Sequence, residues 1–462
     1  MRTGGRKKTL RALAVIAAAA LIALGGAWLA SRLRQQAMEK KVSIDTYYPG
    51  VTIDGRDVSS LTLDQALDQW AREDAEAAGK MVLKLTLQGD SWTLTAADLG
   101  YTSDYDQVLR DAYQLGRAGE LAARYDQVNQ IAESGAAYHT SRGYDRALLE
   151  SKLQDIAAQL SRPARDAQVS GFSLKSRAFS FYAEKEGAQV DGAQLYAQAV
   201  KLLDRGAGGT IEIERETVYP SLTQAQLQKE YGLVASATTP AAASSASRLN
   251  NIALALKAIN GQRVEAGATF SFNGATGERT TQKGYESAGA INNGVMVQEP
   301  GGGVCQVSTT LFCAAAKAGL NIVERSPHSR VVGYVEMGKD AMVDWPGMDL
   351  RFTNDSGGPI YLTGALDGDK RVNIRVYGKK LKDGTSIALS AQRTGSTPAG
   401  ADRLIPDPTL AAGERRLLEA AREGASATTY RSYLDAQGQV IKKEVLAYST
   451  YPPAGNVYLV GP

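Results

Sequence analysis

The chain has 462 residues, of which 44% are hydrophobic, so it is long enough to form three or four folded domains of ordinary size. It carries 52 basic and 49 acidic side chains, and five of the basic ones precede Ala12. The 47 basic and 49 acidic residues that remain nearly cancel, which excludes the strongly basic surface that nucleic acid requires.

The first predicted element is a transmembrane helix. Residues 12–30 contain no charged side chain and, at about 1.5 Å per residue, span most of a roughly 30 Å hydrocarbon core. The basic stub of residues 1–11 predicts a cytoplasmic N-terminus and an extracytoplasmic remainder. A cleaved signal peptide is the competing interpretation. We favour a retained single-pass anchor, because the run is long for a signal peptide, no Ala-x-Ala site lies near Trp28, and Arg32 and Arg34 follow at once.

An internal repeat follows the anchor. Residues 92–104 align with residues 179–191 at one fixed offset, and each copy leads into a helical pattern of apolar residues. The pattern predicts a strand, a glycine turn and a helix that occur twice. We therefore expect two α+β modules, at 45–140 and 141–230. Duplicated modules suit a repetitive polymer, because two linked weak contacts raise avidity.

Changes in composition divide the second half of the chain into three predicted segments. Residues 235–247 are small and polar with one proline, which predicts a linker, and Ser247 is the expected N-cap of the helix that follows. Residues 248–380 follow as the next predicted domain and begin with a helical pattern of apolar residues, Ile252, Leu254, Leu256 and Ile259. Residues 385–462 have the glycine, threonine and tyrosine content of a small β module. Together these segments predict a multidomain α+β protein.

One segment has the pattern of a reactive site. Gly301 to Gly303 allow close backbone approach and positive φ, and helical spacing of apolar residues begins at Val304. Cys305 is therefore predicted in the first turn of a helix, where free N–H groups favour the thiolate. Cys313 lies eight residues further on, about 12 Å along a helix, which is too far for a disulfide. We expect two free thiols, with Cys313 in the core.

The candidate catalytic residues appear in the order cysteine, histidine, aspartate. His328 is the candidate base, and Asp340 or Asp344 is the candidate group that orients it. Backbone N–H groups near Cys305 and the amide of Gln306 are candidate oxyanion donors. The competing interpretation is that the glycines form a tight turn, Cys305 packs as a small apolar residue and His328 bonds a loop. A closed zinc site needs four ligands, so we expect no metal and no cofactor.

Several motifs resemble those of the VanW family. The likeness covers about residues 246–378 and is carried by Arg248-Leu249-Asn250-Asn251-Ile252, Ile259-Asn260-Gly261, Thr269-Phe270-Ser271-Phe272-Asn273, Gly277-Glu278-Arg279-Thr280, Gly284-Tyr285, Gly301 to Phe312, Ala318-Gly319-Leu320, Glu324-Arg325, His328-Ser329 and Gly338-Lys339-Asp340-Ala341. Ala266-Gly267 departs from the Pro-Gly usual in the family. The resemblance implies a bacterial cell-envelope protein linked to vancomycin resistance, but it implies no defined reaction.

Two further resemblances concern the flanking segments. Residues 45–230 resemble the pair of peptidoglycan-binding domains that often precede a VanW domain, and residues 385–462 resemble the glycine-marked extracellular module called the G-five domain. These likenesses imply contact with cell-wall polymer, although the last module can equally be a spacer.

Two hypotheses of function remain at this point. In the first, the chain is a membrane-anchored, non-catalytic protein that binds peptidoglycan. In the second, it is a cysteine acyl-transfer enzyme, with a transglutaminase-like or papain-like arrangement, that acts on wall peptides through Cys305 and His328. The accessibility of Cys305 separates them, because a nucleophile must be reachable by its substrate.

Overall fold

The structure is a computed structural model that describes residues 5–292 and 295–462. The helices are α1 Gly5–Val42, α2 Leu63–Lys80, α3 Tyr105–Gln114, α4 Leu121–Ser134, α5 Arg146–Leu160, α6 Gly192–Leu203, α7 Gln224–Glu230, α8 Ala246–Ile259, α9 Phe272–Thr276 and α10 Val304–Lys317. The strands are β1 Val51–Ile53, β2 Arg56–Asp57, β3 Leu83–Leu87, β4 Asp90–Leu94, β5 Thr102–Ser103, β6 Ala136–Tyr138, β7 Arg142–Gly143, β8 Gln168–Ser173, β9 Ala178–Tyr182, β10 Gly187–Gln189, β11 Gly209–Glu212, β12 Glu216–Val218, β13 Tyr231–Pro240, β14 Arg263–Val264, β15 Thr269–Ser271, β16 Ser287–Asn292, β17 Val295–Pro300, β18 Asn321–Glu324, β19 Arg351–Thr353, β20 Ile360–Leu366, β21 Arg371–Lys379, β22 Ser386–Thr397, β23 Arg403–Pro406, β24 Arg415–Glu419, β25 Gly424–Leu434, β26 Val440–Tyr451 and β27 Val457–Val460. This mixture of helices and small sheets confirms the predicted multidomain α+β class.

The chain divides into two compact units, which we describe separately. The first contains residues up to 164 together with Glu186–Tyr219, and the second contains Arg165–Lys185 together with Pro220–Pro462. The hairpin of β8 and β9 therefore belongs to the second unit. Its Phe172 ring stacks on Tyr361 with centroids 4.9 Å apart, and Phe179 meets Tyr231 edge to face at 5.1 Å.

The first unit begins with the apolar helix α1. Within it, Lys8–Val42 is long and apolar enough to cross a membrane. Its mean hydropathy is 2.3, and none of its apolar stretch is buried against the rest of the protein. A signal sequence has the same properties. The end of α1 belongs to a folded core, since Val42 is buried with Tyr47, Tyr48 and Trp70 among helices α2 to α4.

A second core in the first unit joins distant parts of the chain. Strand β3 pairs in parallel with β11, with Leu85 opposite Ile211, and pairs antiparallel with β4. Helices α5 and α6 cover this sheet through Leu149, Leu153 and Leu195. Residues 81–99 thus share a core with residues 149–213, whereas the sequence predicted a module boundary at 140. The boundary differs because hydrophobic periodicity identifies strands without identifying their partners.

The predicted order of strand, glycine and helix occurs in both copies of the repeat, but the two copies do not form equivalent modules. In the first copy β4 precedes Gly100, and Asp104 precedes α3; in the second, β9 precedes Gly187, and Asp191 caps α6. Strand β4 belongs to the β11-β3-β4 sheet of the first unit, whereas β9 pairs with β8 in the second.

The second unit is built on a four-stranded sheet in the order β13-β21-β20-β14. The ten residues of β13 pair with β21, with Ala237 opposite Ile374. The sequence predicted a linker at 235–247, but residues 235–240 belong to this strand, because their small side chains allow α10 to pack closely. The Oγ1 atoms of Thr239 and Thr310 are 2.8 Å apart in that contact. The N-cap of α8 is Ser245, whose Oγ accepts from the N–H of Arg248, rather than the expected Ser247.

The last segment is a β structure, as its composition suggested. Strands β22, β25 and β26 form one sheet, and β23, β27 and β24 form another. The hairpin of β25 and β26 contacts the loop before Asp340, since Thr429 Oγ1 donates to the carbonyl oxygen of Gly338 at 2.7 Å. This contact brings the C-terminal strands next to the predicted site.

Candidate active site

A glycine loop sets the start of α10. Gly303 is the N-cap residue with φ of 109°, and Gly301 has φ of 90°, a region that favours glycine. A Cβ on Gly302 would lie 2.5 Å from the carbonyl oxygen of Ala288, so no side chain fits there. Cys305 is the second residue of the helix, which confirms its predicted place in the first turn. The helix N-terminus favours the thiolate at that position.

Helix α10 also fixes the loop that carries Asp340. Ser308 Oγ donates to the carbonyl oxygen of Ala341 at 2.6 Å, and the N–H of Ala341 donates to Thr309 Oγ1 at 2.9 Å. Both hydroxyls lie one turn beyond Cys305. Ala341, the residue after Asp340, is therefore hydrogen-bonded to the helix that carries Cys305. These bonds fix the position of the Asp340 loop relative to the sulfur.

The structure brings Cys305, His328 and Asp340 together. His328 Nδ1 lies 2.7 Å from Asp340 Oδ2, and the backbone N–H of His328 donates to the same oxygen at 2.7 Å. The imidazole is close enough to the Cys305 side chain for each group to shift the other's pKa. Cys305 Sγ lies 3.3 Å from the carbonyl oxygen of Val343. A thiol, an imidazole and a carboxylate in this order form the connected set that cysteine acyl-transfer chemistry uses.

Asp340 is held as an anion by several donors. Besides His328, it accepts from Arg325 Nη2 at 3.1 Å and from the hydroxyl of Tyr451. Burial alone raises the pKa of this carboxyl group, but the hydrogen bonds to His328 and Tyr451 and the charge of Arg325 bring the pKa below its ordinary value. A buried carboxylate that stays ionised can hold an adjacent imidazolium.

The thiol and the imidazole shift each other's ionisation. Burial alone raises the pKa of Cys305, but its hydrogen bond to His328 and the charges of His328 and Arg279 lower that pKa below the ordinary value. Burial lowers the pKa of His328, yet the bonds to Asp340 and Cys305 raise it to about 9. Near neutral pH these shifts favour a thiolate and imidazolium pair.

Access differs among the three residues. Cys305 is partly exposed, whereas His328 is 4% exposed and Asp340 is 1% exposed. Cys313 is buried in the core, and burial raises the pKa of its thiol to about 11. Both cysteines are free, as predicted. The cysteine that has the activating partners is thus also the more exposed of the two.

Two of the proposed site residues take other positions. Gln306 is buried, and its Nε2 donates to Thr239 Oγ1 and to the carbonyl oxygen of Pro240 at 3.1 and 2.8 Å. Its amide therefore faces β13 and is not an oxyanion donor. Asp344 Oδ1 accepts from the N–H of Trp345 at 2.7 Å, and Asp340 takes the position beside the imidazole. The N–H groups of Val304 and Gln306 donate to Gly301 and Gly303, which leaves the N–H of Cys305 as the candidate oxyanion donor.

Sequence reasoning missed three side chains around this set. The ring of Tyr334 meets that of His328 edge to face with centroids 6.4 Å apart, and burial and the negative charge of Cys305 raise the pKa of its phenol. Tyr451 reaches Asp340 from β26. Arg279 belongs to the quoted Gly277-Glu278-Arg279-Thr280 motif, so that motif was the available signal. Within residues 5–292 and 295–462, no group of three metal-binding side chains occurs.

Two segments of the chain match known protein families. Residues 247–377 match the family described as "VanW like protein". The chain contains a VanW-like domain. Residues 92–212 match the family described as "Putative peptidoglycan binding domain". These matches confirm both predicted resemblances and agree with a cell-wall associated protein. The second match is one copy that crosses the predicted boundary at 140.

Two curated relatives each match part of the chain. An uncharacterized protein of Bacillus subtilis, YoaR, is 46% identical over 134 residues, which cover 29% of this chain and 44% of YoaR. The vancomycin B-type resistance protein VanW of Enterococcus faecalis is 31% identical over 126 residues, which cover 26% of this chain and 46% of VanW. The chain thus matches less than half the length of either relative.

Solved structures similar to part of the chain include two G5 domains. The HP0197 G5 structure is 16% identical, with 16% of this chain and 97% of that chain covered, at a TM-score of 0.10. The IgA1 protease G5 domain is 15% identical, with 17% of this chain and 92% of that chain covered, at a TM-score of 0.12.

Proposed function

We propose that this protein is a membrane-anchored, extracytoplasmic cysteine acyl transferase that acts on amide bonds in cell-wall peptides. The observation that carries the proposal is the connected set of Cys305, His328 and Asp340, in which the thiol of a partly exposed cysteine has a lowered pKa. A structural cysteine needs no imidazole and no buried carboxylate behind it. Arrangements with perturbed ionisation are typical of functional sites.

The proposed reaction uses these residues in two steps. The Cys305 thiolate attacks the amide carbonyl, the C–N bond breaks, and the imidazolium of His328 gives its proton to the leaving amine. In the second step His328 takes a proton from water or from an acceptor amine, which attacks the thioester and releases the sulfur. Water gives a carboxylate, and an amine gives a new amide. Asp340 keeps the imidazole oriented and balances its charge throughout.

Two other parts of the chain support the location and the substrate. The match of residues 92–212 to a peptidoglycan-binding family supports a wall polymer as the partner. The apolar stretch in α1, preceded by a basic stub, supports an anchor with a cytoplasmic N-terminus. Protease added to intact protoplasts is then expected to digest the C-terminal strands, and their protection would contradict this orientation.

The catalytic proposal is tested by trapping the thioester. Full-length protein in detergent is incubated with stem peptides released from peptidoglycan, and mass spectrometry follows both the peptides and the protein. Wild-type protein is expected to carry an acyl adduct on Cys305 and to convert the peptides, whereas Cys305→Ala does neither. Cys313→Ala is the matched control and keeps both properties. Equal conversion by Cys305→Ala would overturn the proposal.

Binding is tested separately with the inactive variant. Cys305→Ala protein is expected to sediment with insoluble peptidoglycan, because the wall-binding segment is intact. Failure of both conversion and sedimentation would remove the wall as the partner. Sedimentation without any conversion by wild-type protein would instead support the non-catalytic hypothesis, in which the chain only binds the polymer.

A further inference from the structure

One cation beside the proposed site has donors that remain unused. Arg279 Nη2 donates to Asn273 Oδ1 at 2.6 Å and to Thr276 Oγ1 at 3.1 Å. Its Nε and Nη1 are buried, and among the residues that the structure describes they have no acceptor. Leaving a buried donor unpaired costs about 1–3 kcal/mol, and more for a charged group. An unsatisfied buried group in a native protein calls for an explanation, such as a bound water, an ion or a functional role.

The position of Arg279 links it to the cysteine. Its side chain crosses the glycine loop that leads into α10, since a Cβ on Gly301 would lie 2.9 Å from its Cβ and 3.2 Å from its Cγ. Asn273, which fixes one edge of the guanidinium, also donates to the carbonyl oxygens of Asp344 and Met348. The guanidinium is therefore held between the loop before Cys305 and the segment just after Val343, whose carbonyl oxygen lies beside the thiol.

Nearby carboxylates do not neutralise this cation by contact. Asp349 Oδ2 accepts from Ser271 Oγ, and its Oδ1 accepts from the N–H groups of Asn273 and Leu350. Asp344 Oδ1 accepts from the N–H of Trp345. Burial lowers the pKa of Arg279, opposed by the charges of Cys305, Asp349 and Asp344. An anion that enters the site would find a partly desolvated positive charge with free N–H groups.

We propose that Arg279 binds the free carboxylate at the C-terminus of the substrate peptide, so that the bond broken is the amide of a terminal amino acid. The inference rests on the proposed acyl-transfer function. Guanidinium groups bind carboxylates through charge-assisted hydrogen bonds. A carboxylate bound beside Cys305 would place the preceding amide carbonyl near the sulfur. A peptide whose end is capped as an amide lacks that charge and should bind poorly.

The first test measures binding without turnover. In the full-length Cys305→Ala background, fluorescence anisotropy compares a labelled stem peptide that ends in a free carboxylate with the same peptide capped as a primary amide. The carboxylate form is expected to bind at least tenfold more tightly, and Arg279→Gln is expected to abolish that preference. Arg263→Gln is the matched control, because Arg263 is exposed and paired with Glu265 in the same unit.

The second test separates this inference from the proposed function. With active protein, Arg279→Gln is expected to raise KM for the carboxylate peptide at least tenfold and to leave KM for the amide-capped peptide unchanged, with Arg279→Lys in between. If no peptide is converted but the anisotropy preference holds, the acyl-transfer proposal fails and carboxylate recognition stands. Equal affinity for the two peptides, a preference that survives Arg279→Gln, or competition by inorganic phosphate as strong as by acetate would overturn the inference.

Discussion

The hydroxyl of Tyr451 connects the C-terminal strands to Asp340, a member of the triad of Cys305, His328 and Asp340. Removing this hydroxyl should lower the stability of the protein by a predictable amount. Tyr451 is 2% exposed, donates to Asp340 Oδ1 and accepts from the N–H of Gly338 at 2.8 Å. Tyr451→Phe removes both bonds and changes little of the apolar contact. Because Tyr451 and Asp340 are both buried, water cannot easily replace the hydroxyl.

The expected size of the effect follows from the two lost bonds. A hydrogen bond to a charged group contributes about 1.5–3 kcal/mol, and a neutral one about 1 kcal/mol. The free energy of unfolding should therefore fall by roughly 2.5–4 kcal/mol. Burial raises the pKa of Tyr451 to about 12, and its bond to Asp340 acts in the same direction, so the phenol remains a donor at any pH used.

The assay is urea unfolding of full-length protein in detergent, followed by tyrosine and tryptophan fluorescence. Tyr448→Phe is the matched control, because Tyr448 is on the same strand and is 74% exposed; we expect a change within about 0.5 kcal/mol. Tyr451→Phe should also bring the pKa of Asp340 back toward its ordinary value, so the stability that is lost on acidification below the unfolded pKa should be smaller in the variant than in the wild type. Identical results for the two variants would refute the proposed coupling of Tyr451 to the site.

Three further predictions concern the triad and its loop. His328→Gln should slow alkylation of Cys305 by iodoacetamide at pH 7 by at least tenfold, while Cys313 reacts only after unfolding in either protein; an unchanged rate would remove His328 as the activating partner. The pKa of His328 is raised from 6.5 to about 9 in the folded protein, so the protonated imidazole stabilises the fold. This stabilisation, on the order of 3 kcal/mol, is fully present below pH 6.5 and should be lost as the pH rises through about 9. When the unfolding of wild type and His328→Gln is measured between pH 6 and 10, the difference between their free energies of unfolding should shrink as the pH rises. Gly303→Ala should destabilise by about 1–3 kcal/mol or more, because φ is 109° and the new Cβ would lie 2.9 Å from Arg248 Cγ; a neutral result in thermal unfolding would contradict it.

The part of the site that the sequence predicted is the part that depends on short-range signals. The glycine run and the helical spacing after it are local, so the position of Cys305 in the first turn of α10 was predictable. Gln306 was assigned wrongly because periodicity does not say which face of a helix meets a sheet. That sheet was hidden, since the alanine, serine and threonine residues of β13 have the composition of a linker. Tyr451 is 111 residues from Asp340 and carries no local signal.

The organisation of the first unit was hard to predict for the same reason, because local sequence patterns do not identify which strands pair. The strand β3 was recognisable from its alternation of apolar and polar residues, but its parallel partner β11 lies more than a hundred residues later. Parallel pairing depends on the whole path of the chain between the two strands. For this reason the sequence indicated strands and helices but placed a boundary at 140, which the shared core of residues 81–99 and 149–213 crosses.

The charges around the thiol explain why a buried imidazole can hold a proton there. Cys305 as a thiolate, His328 as an imidazolium, Asp340 as a carboxylate and Arg325 as a guanidinium alternate in sign and sum to zero, and Arg325 and Asp340 are 3% and 1% exposed. A neutral array limits the desolvation cost that an isolated buried charge would carry. Arg279 adds one positive charge that no carboxylate contacts within the described residues. A substrate with one terminal carboxylate would complete the balance, so the same electrostatics that activate the thiol favour an anionic peptide over a neutral one.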